Sequence, residues 1–365
     1  MKLQIKAEKF KEMVSRAMKG ASCNKLIPLT GLMAVELKDG VLTLITTDAT
    51  NYLYIKDNNV EGDDFYVVVP VDVFSKLISR LTCENVSLEV ADNSLKVSGN
   101  GNYVIELPMD ENGNMIKFPS PISKVKDVEQ KGIINSSTVS TILTTLKPAL
   151  SNTLEIPCYT GYYFGDKIVA TNTEKVSVLN SKLFDTDYLI SPEMVDLLAV
   201  MTEEKINVDQ YENNLIFSTK DCVLYGPVME GIEEFSIDAI LEILESEYPS
   251  QCKLPKNTLL QLLDRLSLFV TSYDNHAITL TFTKEGLMIQ SKASTGAEII
   301  PYIASENFAD FSCAIDITYL HSQVKGQTCE TLSLSYGRED MIKFEDENII
   351  SLVSLLNEAG EEVEA

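Results

Sequence analysis

The chain has 365 residues, which is too long for one ordinary hydrophobic core and long enough for two or three domains. Hydrophobic residues make up 45% of it and charged residues 23%, and this balance excludes an intrinsically disordered chain. The formal net charge of −24 argues against a protein that grips nucleic acid with its outer surface, because an acidic surface repels phosphates.

The negative charge is uneven along the chain. Residues 1–120 carry 13 basic against 16 acidic side chains, a net charge of −3, so the remainder carries −21. No apolar run reaches the roughly 18 residues that a membrane helix needs. The first residues lack the apolar core and cleavage site of a signal peptide. We therefore expect a cytoplasmic protein.

Cysteine and histidine limit the chemistry that the chain can perform. The seven cysteines are scattered without a CxxC pair, which favours reduced, mostly buried thiols over disulfides or zinc. His276 and His321 are the two histidines of the sequence. A metal site built on imidazole is therefore nearly excluded.

The first third of the chain alternates helical and strand patterns. The segment "AEKFKEMVSRAMKG" predicts an amphipathic helix with a buried stripe of Phe10, Val14 and Ala17. Next, "MAVELKDGVLTLITTDATNYLYI" predicts a strand pair, with a hairpin turn at Asp39 and Gly40. The segment "FYVVVPVDVFSKLISRLTCENVSLEV" then predicts a strand, a second helix and another strand.

The same order returns twice further along the chain. The second helix-first unit opens with "NSSTVSTILTTLKPAL", where Asn135 or Ser136 is the candidate N-cap and the predicted stripe is Val139, Ile142, Leu146 and Leu150. The third opens with "KNTLLQLLDRLSLF", whose stripe is Leu259, Leu262, Leu266 and Phe269. Between them, residues 230–247 predict an additional helix with an apolar stripe and a solvated acidic face.

Two sets of landmarks share one spacing. Each helix-to-strand step ends on a glutamate, and an apolar residue lies in the strand that follows, in the pairs Glu84 and Leu95, Glu204 and Leu215, and Glu330 and Met341. Both sets are separated by 120 and then 126 residues, which indicates a threefold repeat. We predict an α+β fold of three tandem units, each with two helices packed on a sheet.

Proline-bearing segments near 118–127 and 245–255 suggest domains at 1–120, 128–248 and 249–365. Repeated units with common edges can close into a ring by symmetry. Gene duplication without a ring is the plainer alternative.

The sequence contains no familiar catalytic motif. The patterns GxxxxGK[ST], GxGxxG, GxSxG and HExxH do not occur in it. The glycine-rich residues 98–103 lie between two predicted strands, so a hairpin turn is a simpler interpretation than a phosphate site. His276 could pair with Asp274 in catalysis, but a solvent-facing histidine is the simpler interpretation, as it is for His321. We predict no enzyme, no catalytic residue, no metal and no cofactor.

The order and length of the units resemble the bacterial DNA sliding clamp, the β subunit of DNA polymerase III. The resemblance covers nearly the whole chain and rests on several strings together, namely "IPLTGLMAVELKDGVLTLITTDATNYLYI", "VVVPVDVFSKLISRL", "KIVATNTEKVSV" and "FSCAIDITYLHSQVKGQTCETLSL". It implies a head-to-tail homodimer whose six domains form a ring around duplex DNA. Such a ring is a processivity factor in DNA replication, of bacterial or phage origin.

The resemblance also implies where DNA and the second subunit would bind. The basic residues expected to face DNA, without sequence specificity, are Lys9, Arg16, Lys19, Lys25, Lys76, Arg80, Lys147, Arg265 and Lys325. Asp72 and Glu193 stand where the family often has basic residues, and ordinary solvated lysines are the alternative. The expected dimer interface brings Tyr103 and Ile105 against Leu268 and Phe269. An intramolecular core is the alternative for that set.

A hydrophobic cleft for short linear peptides of the polymerase and clamp loader is a further implication. The residues expected to line it are Tyr159, Thr171, Thr173, Val176, Pro249, Val353, Ser354, Leu355 and Leu356. The family's "ATDGHRL" reads "ATNTEKV" here, and its terminal Met-Pro-x-Arg-Leu is replaced by "SLLNE" and an acidic tail. The acidic segment 230–247 also enters near the cleft. A clamp-fold protein that binds clamp partners without encircling DNA is therefore the alternative function.

Overall fold

The computed structural model describes residues 2–91, 93–291, 296–304 and 308–356. Within these ranges it has seven α-helices and twenty-five strands. The helices are α1 (Ala7–Ala17), α2 (Val71–Arg80), α3 (Ser136–Thr141), α4 (Pro192–Leu198), α5 (Ile237–Glu245), α6 (Lys256–Leu266) and α7 (Ile317–Gly326). The strands up to residue 135 are β1 (Lys2–Lys6), β2 (Leu32–Lys38), β3 (Val41–Thr47), β4 (Tyr52–Asp57), β5 (Phe65–Pro70), β6 (Asn85–Ala91), β7 (Ser94–Ser98), β8 (Asn102–Glu106) and β9 (Glu129–Asn135). Those up to residue 255 are β10 (Tyr162–Phe164), β11 (Ile168–Thr171), β12 (Lys175–Leu179), β13 (Tyr188–Ile190), β14 (Lys205–Tyr211), β15 (Asn214–Ser218), β16 (Cys222–Pro227) and β17 (Ser250–Pro255). The remaining strands are β18 (Ala277–Thr283), β19 (Gly286–Ser291), β20 (Ala297–Ile300), β21 (Ile303–Ala304), β22 (Phe311–Asp316), β23 (Thr331–Tyr336), β24 (Met341–Glu345) and β25 (Ile349–Leu356).

Three copies of one α+β unit account for this order, as the repeat predicts. Copy 1 runs from β1 to β8, copy 2 from β9 to β16 and copy 3 from β17 to β25. One hydrogen bond recurs at the same place in each copy. The amide of the first residue of the first helix (Ala7, Ser136 or Lys256) donates over 2.9 Å to the carbonyl oxygen of the landmark glutamate (Glu84, Glu204 or Glu330). The three glutamates are therefore structurally equivalent.

The chain divides into two compact units by its internal contacts. Unit 1 comprises Met1–Val139 and Glu193–Val228, and unit 2 comprises Ser140–Pro192 and Met229–Ala365. This division cuts through copy 2, so the three domain ranges inferred from the sequence stay a prediction. Each unit is described by itself below.

Unit 1 is built on two antiparallel sheets. One has the strand order β1-β6-β7-β8 and the other the order β5-β2-β3-β4-β16-β15-β14-β9. Helices α1 and α2 lie side by side, because each buries one apolar stripe. Phe10 and Phe74 are fully buried at their contact, with ring centroids 5.9 Å apart in an edge-to-face arrangement.

Unit 2 contains one sheet of thirteen strands among the described residues. Its main path is β13-β10-β11-β12-β25-β22-β18-β19-β20, and β25 also pairs with β24. The core of copy 3 packs around Phe282 and Tyr336, whose rings stack 3.9 Å apart. A second apolar cluster covers β10–β12 and includes Phe235, Ile240 and Leu244 from the segment before β17.

Neighbouring copies are joined by strand pairing of one kind. In unit 1, β4 pairs antiparallel with β16, with Leu53 opposite Leu224. In unit 2, β12 pairs antiparallel with β25, with Ser177 opposite Ser351. Each joint therefore pairs the fourth strand of one copy with the last strand of the next. Among the described residues, two strands are left without such a pairing, namely β20, the fourth strand of copy 3, and β8, the last strand of copy 1. Both lie at sheet edges.

The first helix of copy 2 is less regular than its sequence pattern predicts. The α-helix ends at Thr141, a wider π-helical turn spans Ile142–Leu146, and a 3-10 turn spans Lys147–Ala149. Pro148 explains the irregular end, because proline has no amide hydrogen and its ring crowds the carbonyl four residues earlier. The predicted stripe of Val139, Ile142, Leu146 and Leu150 is nevertheless buried.

Candidate functional site

An apolar cavity of about 190 Å³ lies in unit 2. Five of the nine residues expected to line a peptide cleft surround it, namely Tyr159, Thr171, Thr173, Val176 and Ser354. The remaining lining residues are Glu174, Lys175, Ser236, Ala239, Ile240, Ile243, Met341 and Leu352. The cavity is smaller than the roughly 300–1,000 Å³ typical of pockets that enclose a whole ligand. It is therefore suited to apolar side chains of a partner rather than to a whole ligand.

The turn between β11 and β12 forms one side of this cavity. Thr171 Oγ1 donates to the carbonyl oxygen of Lys175 over 3.0 Å and accepts the amide of Thr173 over 3.1 Å. Asn172 Oδ1 accepts the amides of Glu174 and Lys175. These bonds hold Thr173 at a φ of 78°, which is unusual for a β-branched residue. The turn is therefore fixed by its own side chains.

Helix α5 forms another part of the cavity wall. Phe235, just before the helix, stacks on Tyr163 with ring centroids 5.1 Å apart and meets Tyr159 edge-on at 5.2 Å. Ile240 and Leu244 are buried in the same cluster. The helix predicted within 230–247 is thus anchored beside the cavity, and its amphipathic pattern explains why.

The other four expected cleft residues do not line this cavity. Val353 is fully buried in the core of copy 3, because strand alternation turns it away from Leu352 and Ser354. Leu355 packs against the same core, and Leu356 pairs with Ala314 of β22. Pro249 borders a separate cavity of about 370 Å³ beside Tyr248.

Charges beside the cavity are partly compensated. The ammonium of Lys175 lies 5.0 Å from the centre of the Tyr319 ring, and burial lowers the pKa of Lys175. A hydrogen bond to Glu174, together with burial, raises the pKa of Tyr319 to about 12. Glu174 itself is exposed at the edge of the cavity.

Four of the nine basic residues expected to face DNA are held by carboxylates of the same chain. The pairs are Lys9 with Asp57 at 2.6 Å, Arg16 with Asp221 at 2.6 Å, Lys76 with Asp72 at 2.6 Å and Arg265 with Glu298 at 2.5 Å. Asp72, which stands where the family often has a basic residue, is thus the internal partner of Lys76. Glu193 lies in the first turn of α4. These pairs reduce the charge available to phosphates.

The other expected DNA-facing residues are all exposed. Lys19 follows α1, Lys25 lies in the loop before β2, Arg80 ends α2, Lys147 follows the π-helical turn and Lys325 lies in the last turn of α7. Within the part of the chain that is described, Lys19, Lys25, Arg80 and Lys325 form no ion pair. Their DNA-facing role stays a prediction.

Large apolar side chains are exposed near the edge strands β8 and β20. On β8, Tyr103 is exposed and Ile105 is buried, and Val104 between them is 66% exposed. In copy 3, Leu268 is 80% exposed, and Ile299 on β20 is 63% exposed. Phe269 is also exposed. Sequence reasoning missed Val104 and Ile299, although apolar residues on both faces of an edge strand are a detectable signal.

The histidines stand in ordinary surroundings. His321 Nε2 lies 3.0 Å from Asp264 Oδ1 on the surface, and Asp274 accepts a hydrogen bond from Thr271. Among the described residues, no group of three or more histidine, cysteine, aspartate or glutamate side chains could hold a metal ion. No helix in the described ranges has the length and apolar content to cross a membrane.

No protein-family model matches the chain, and no curated protein matches it in sequence. Solved structures do match it in fold. The β subunit of DNA polymerase from Streptococcus pyogenes has a TM-score of 0.86 at 16% identity and covers 98% of this chain and 100% of that one. The sliding clamp of Bacillus subtilis has a TM-score of 0.83 at 16% identity, covering 98% and 99%. The β subunit of Thermotoga maritima has a TM-score of 0.82 at 15% identity, covering 97% and 99%. The chain therefore has the fold of the DNA polymerase III β subunit, the bacterial sliding clamp.

Proposed function

We propose that the chain is a DNA sliding clamp, a non-catalytic processivity factor that encircles duplex DNA as a homodimeric ring. The proposal places it in the cytoplasm, where it tethers the replicative polymerase. A clamp loader would open and close the ring. The chain contributes no nucleotide or metal chemistry to this role.

The observation that carries the proposal is that two edge strands, β8 and β20, lack in the described part of the chain the strand pairing that joins the other copies. Strand β4 pairs with β16, and β12 pairs with β25. Each joint thus pairs the fourth strand of one copy with the last strand of the following copy. Only β20 and β8 of these six strands have no such partner among the described residues. A second chain whose β8 pairs with β20 of the first chain, and whose β20 pairs with β8 of the first chain, would complete the rule and close a ring with twofold symmetry.

Exposed apolar side chains support the same interface. Val104 on β8 and Ile299 on β20 expose most of their surface, and Leu268 and Phe269 are also exposed. Burying such side chains is worth about 1.5–3 kcal/mol each. Association of β8 with β20 would also satisfy the free edge of each sheet.

The distribution of charge supports threading of DNA rather than gripping. Lys9, Arg16, Lys76 and Arg265 are already paired with carboxylates. A ring that is held topologically needs few phosphate contacts, and strong ion pairing would slow its movement. The net charge of −24 fits this arrangement.

A retention experiment tests the proposal. The protein is loaded onto a nicked circular DNA with a clamp loader, separated from free protein, and the circle is then cut once. A sliding clamp stays on the circle and is released on linearisation. Equal loss from the circle and the linear DNA would show that the protein does not encircle DNA.

The second candidate is a clamp-fold protein that binds clamp partners without encircling DNA. Asp72 and Glu193, which are acidic residues at the starts of α2 and α4, favour it. This candidate predicts peptide binding at the cavity without retention on circular DNA. The two functions are therefore separated by the same experiment.

A further inference from the structure

Helix α5 stands outside the threefold repeat. It lies in the chain between the last strand of copy 2 and the first strand of copy 3, with no counterpart after copy 1 in the described residues. Phe235 inserts against Tyr159 and Tyr163, and Ile240 and Leu244 are buried below the helix. The helix is therefore a fixed part of unit 2 rather than a loose connection.

One face of the helix forms a wall of the 190 Å³ cavity. Ser236, Ala239, Ile240 and Ile243 line the cavity, and their spacing of three and four residues places them on one helical stripe. Glu242 is exposed and directly precedes Ile243, the last residue of this stripe. The apolar lining and the acidic surface of the segment therefore meet at the rim of the cavity.

The rim carries an excess of negative charge. Seven carboxylates lie between Glu230 and Glu247, all of them exposed, and the sequence from Met229 to Cys252 contains no lysine or arginine. None of the seven forms an ion pair within the described residues. Glu174, in the turn between β11 and β12, adds an exposed carboxylate to the lining, while the cation of Lys175 is half-buried against Tyr319.

We propose that α5 makes this cavity selective for partner segments in which large apolar side chains are flanked by lysine or arginine. The inference rests on the proposed function of the cavity as a peptide site and adds the chemistry of the peptide. Apolar side chains fill the cavity, and basic side chains meet the carboxylates of the rim. Acidic segments are disfavoured, including residues 357–365 of this chain, which contain four glutamates and no basic residue.

Selection from a displayed library of random nonapeptides tests the inference on the full chain. The enriched peptides should contain at least two large apolar residues and carry a net positive charge. Ala239→Tyr should abolish their binding, because the larger side chain fills the cavity from an exposed position.

Matched charge variants then locate the source of the preference. In fluorescence anisotropy with one enriched peptide, Glu174→Gln combined with Glu242→Gln should weaken binding about 5- to 10-fold, since an exposed ion pair is worth up to about 5-fold. The control, Glu233→Gln combined with Glu245→Gln, removes the same charge away from the lining and should change affinity less than 2-fold.

The possible failures are distinguishable. Neutral or acidic enriched peptides that still lose binding in Ala239→Tyr would overturn the charge preference and leave the cavity as a peptide site. Enriched peptides that bind Ala239→Tyr unchanged would overturn both the preference and the docking role. Retention on circular DNA would still decide the clamp function independently.

Discussion

Arg16 and Asp221 form a bidentate ion pair inside unit 1. Arg16 Nη1 donates to Asp221 Oδ2 over 2.6 Å and Nη2 donates to Oδ1 over 3.2 Å, while Nε donates to the carbonyl oxygen of Val200 over 3.1 Å. The pair ties α1 of copy 1 to the turn between β15 and β16 of copy 2. A side chain expected to face DNA therefore serves as an internal brace.

We expect Arg16→Gln to destabilise the protein by about 1–3 kcal/mol, because a half-buried charge-assisted pair would be lost and Asp221 would stay desolvated. Denaturant unfolding measures the change. Lys76→Gln is the matched control, since its pair with Asp72 is exposed and is worth about 0.3–0.5 kcal/mol. An equal effect of both variants would contradict the bracing role.

The same pair predicts a dependence of stability on pH. The hydrogen bond from Arg16 lowers the pKa of Asp221 below its ordinary value of 3.8. The stabilisation is thus fully present above the unfolded-state pKa and is lost as the pH falls through the lower folded-state pKa. The difference in unfolding midpoint between wild type and Asp221→Asn should shrink between pH 7 and about pH 3. A difference that is constant with pH would contradict this.

Local patterns in the sequence predicted the copies better than the contacts between them. Amphipathic stripes such as Phe10, Val14 and Ala17 are set by neighbouring residues, so the first helices were predictable. The pairing of β4 with β16 joins residues about 170 positions apart, and no local pattern encodes it. Five of the nine residues expected in the cleft line one cavity, since the resemblance gave positions but not the strand alternation that buries Val353.

Charge on the edge strands should prevent association of two chains. Val104→Asp and Ile299→Asp each place a carboxylate in the proposed β8–β20 contact, where desolvation is unfavourable. Sedimentation over a range of concentrations should give monomers of 40.5 kDa for either variant and dimers for wild type. Leu154→Asp is the control, because Leu154 is exposed in copy 2, outside both edge strands, and it should remain dimeric. The double replacement of Leu268 and Phe269 by charged residues should also give monomers.

Unpaired basic residues should account for most of the direct attraction to DNA. Replacing Lys19, Lys25 and Arg80 by glutamine should reduce the slope of log K against log salt by about 0.9 for each phosphate contact that is lost. Binding to linear duplex between 50 and 200 mM salt, about the range over which such contacts matter, measures the slope. Lys9→Gln and Arg265→Gln should change it little, because both side chains are already paired. A larger effect from this second pair would reverse the assignment.

Removal of the Phe235 ring should release α5 while the rest of unit 2 stays folded. Phe→Ala at a buried site costs about 3–5 kcal/mol, and here the loss falls on one segment. Limited proteolysis should cut Phe235→Ala between residues 229 and 248 much faster than wild type. Ile237→Ala, at a half-buried position, should be cut at nearly the wild-type rate. Equal cutting of both variants would contradict the anchoring role of the ring.

The position of β25 has a consequence for how the chain folds during synthesis. Unit 1 needs no residue beyond Val228, so its sheets can close while later residues are still being added. Unit 2 closes later, because β12, like β4 in unit 1, stays an open edge until its partner strand arrives about 170 residues later, and for β12 that partner is β25. Pairing over so long a separation is slow. The open edges of β4 and then β12 are therefore the points at which a nascent chain is most open to misassembly, and at which a chaperone would have most effect.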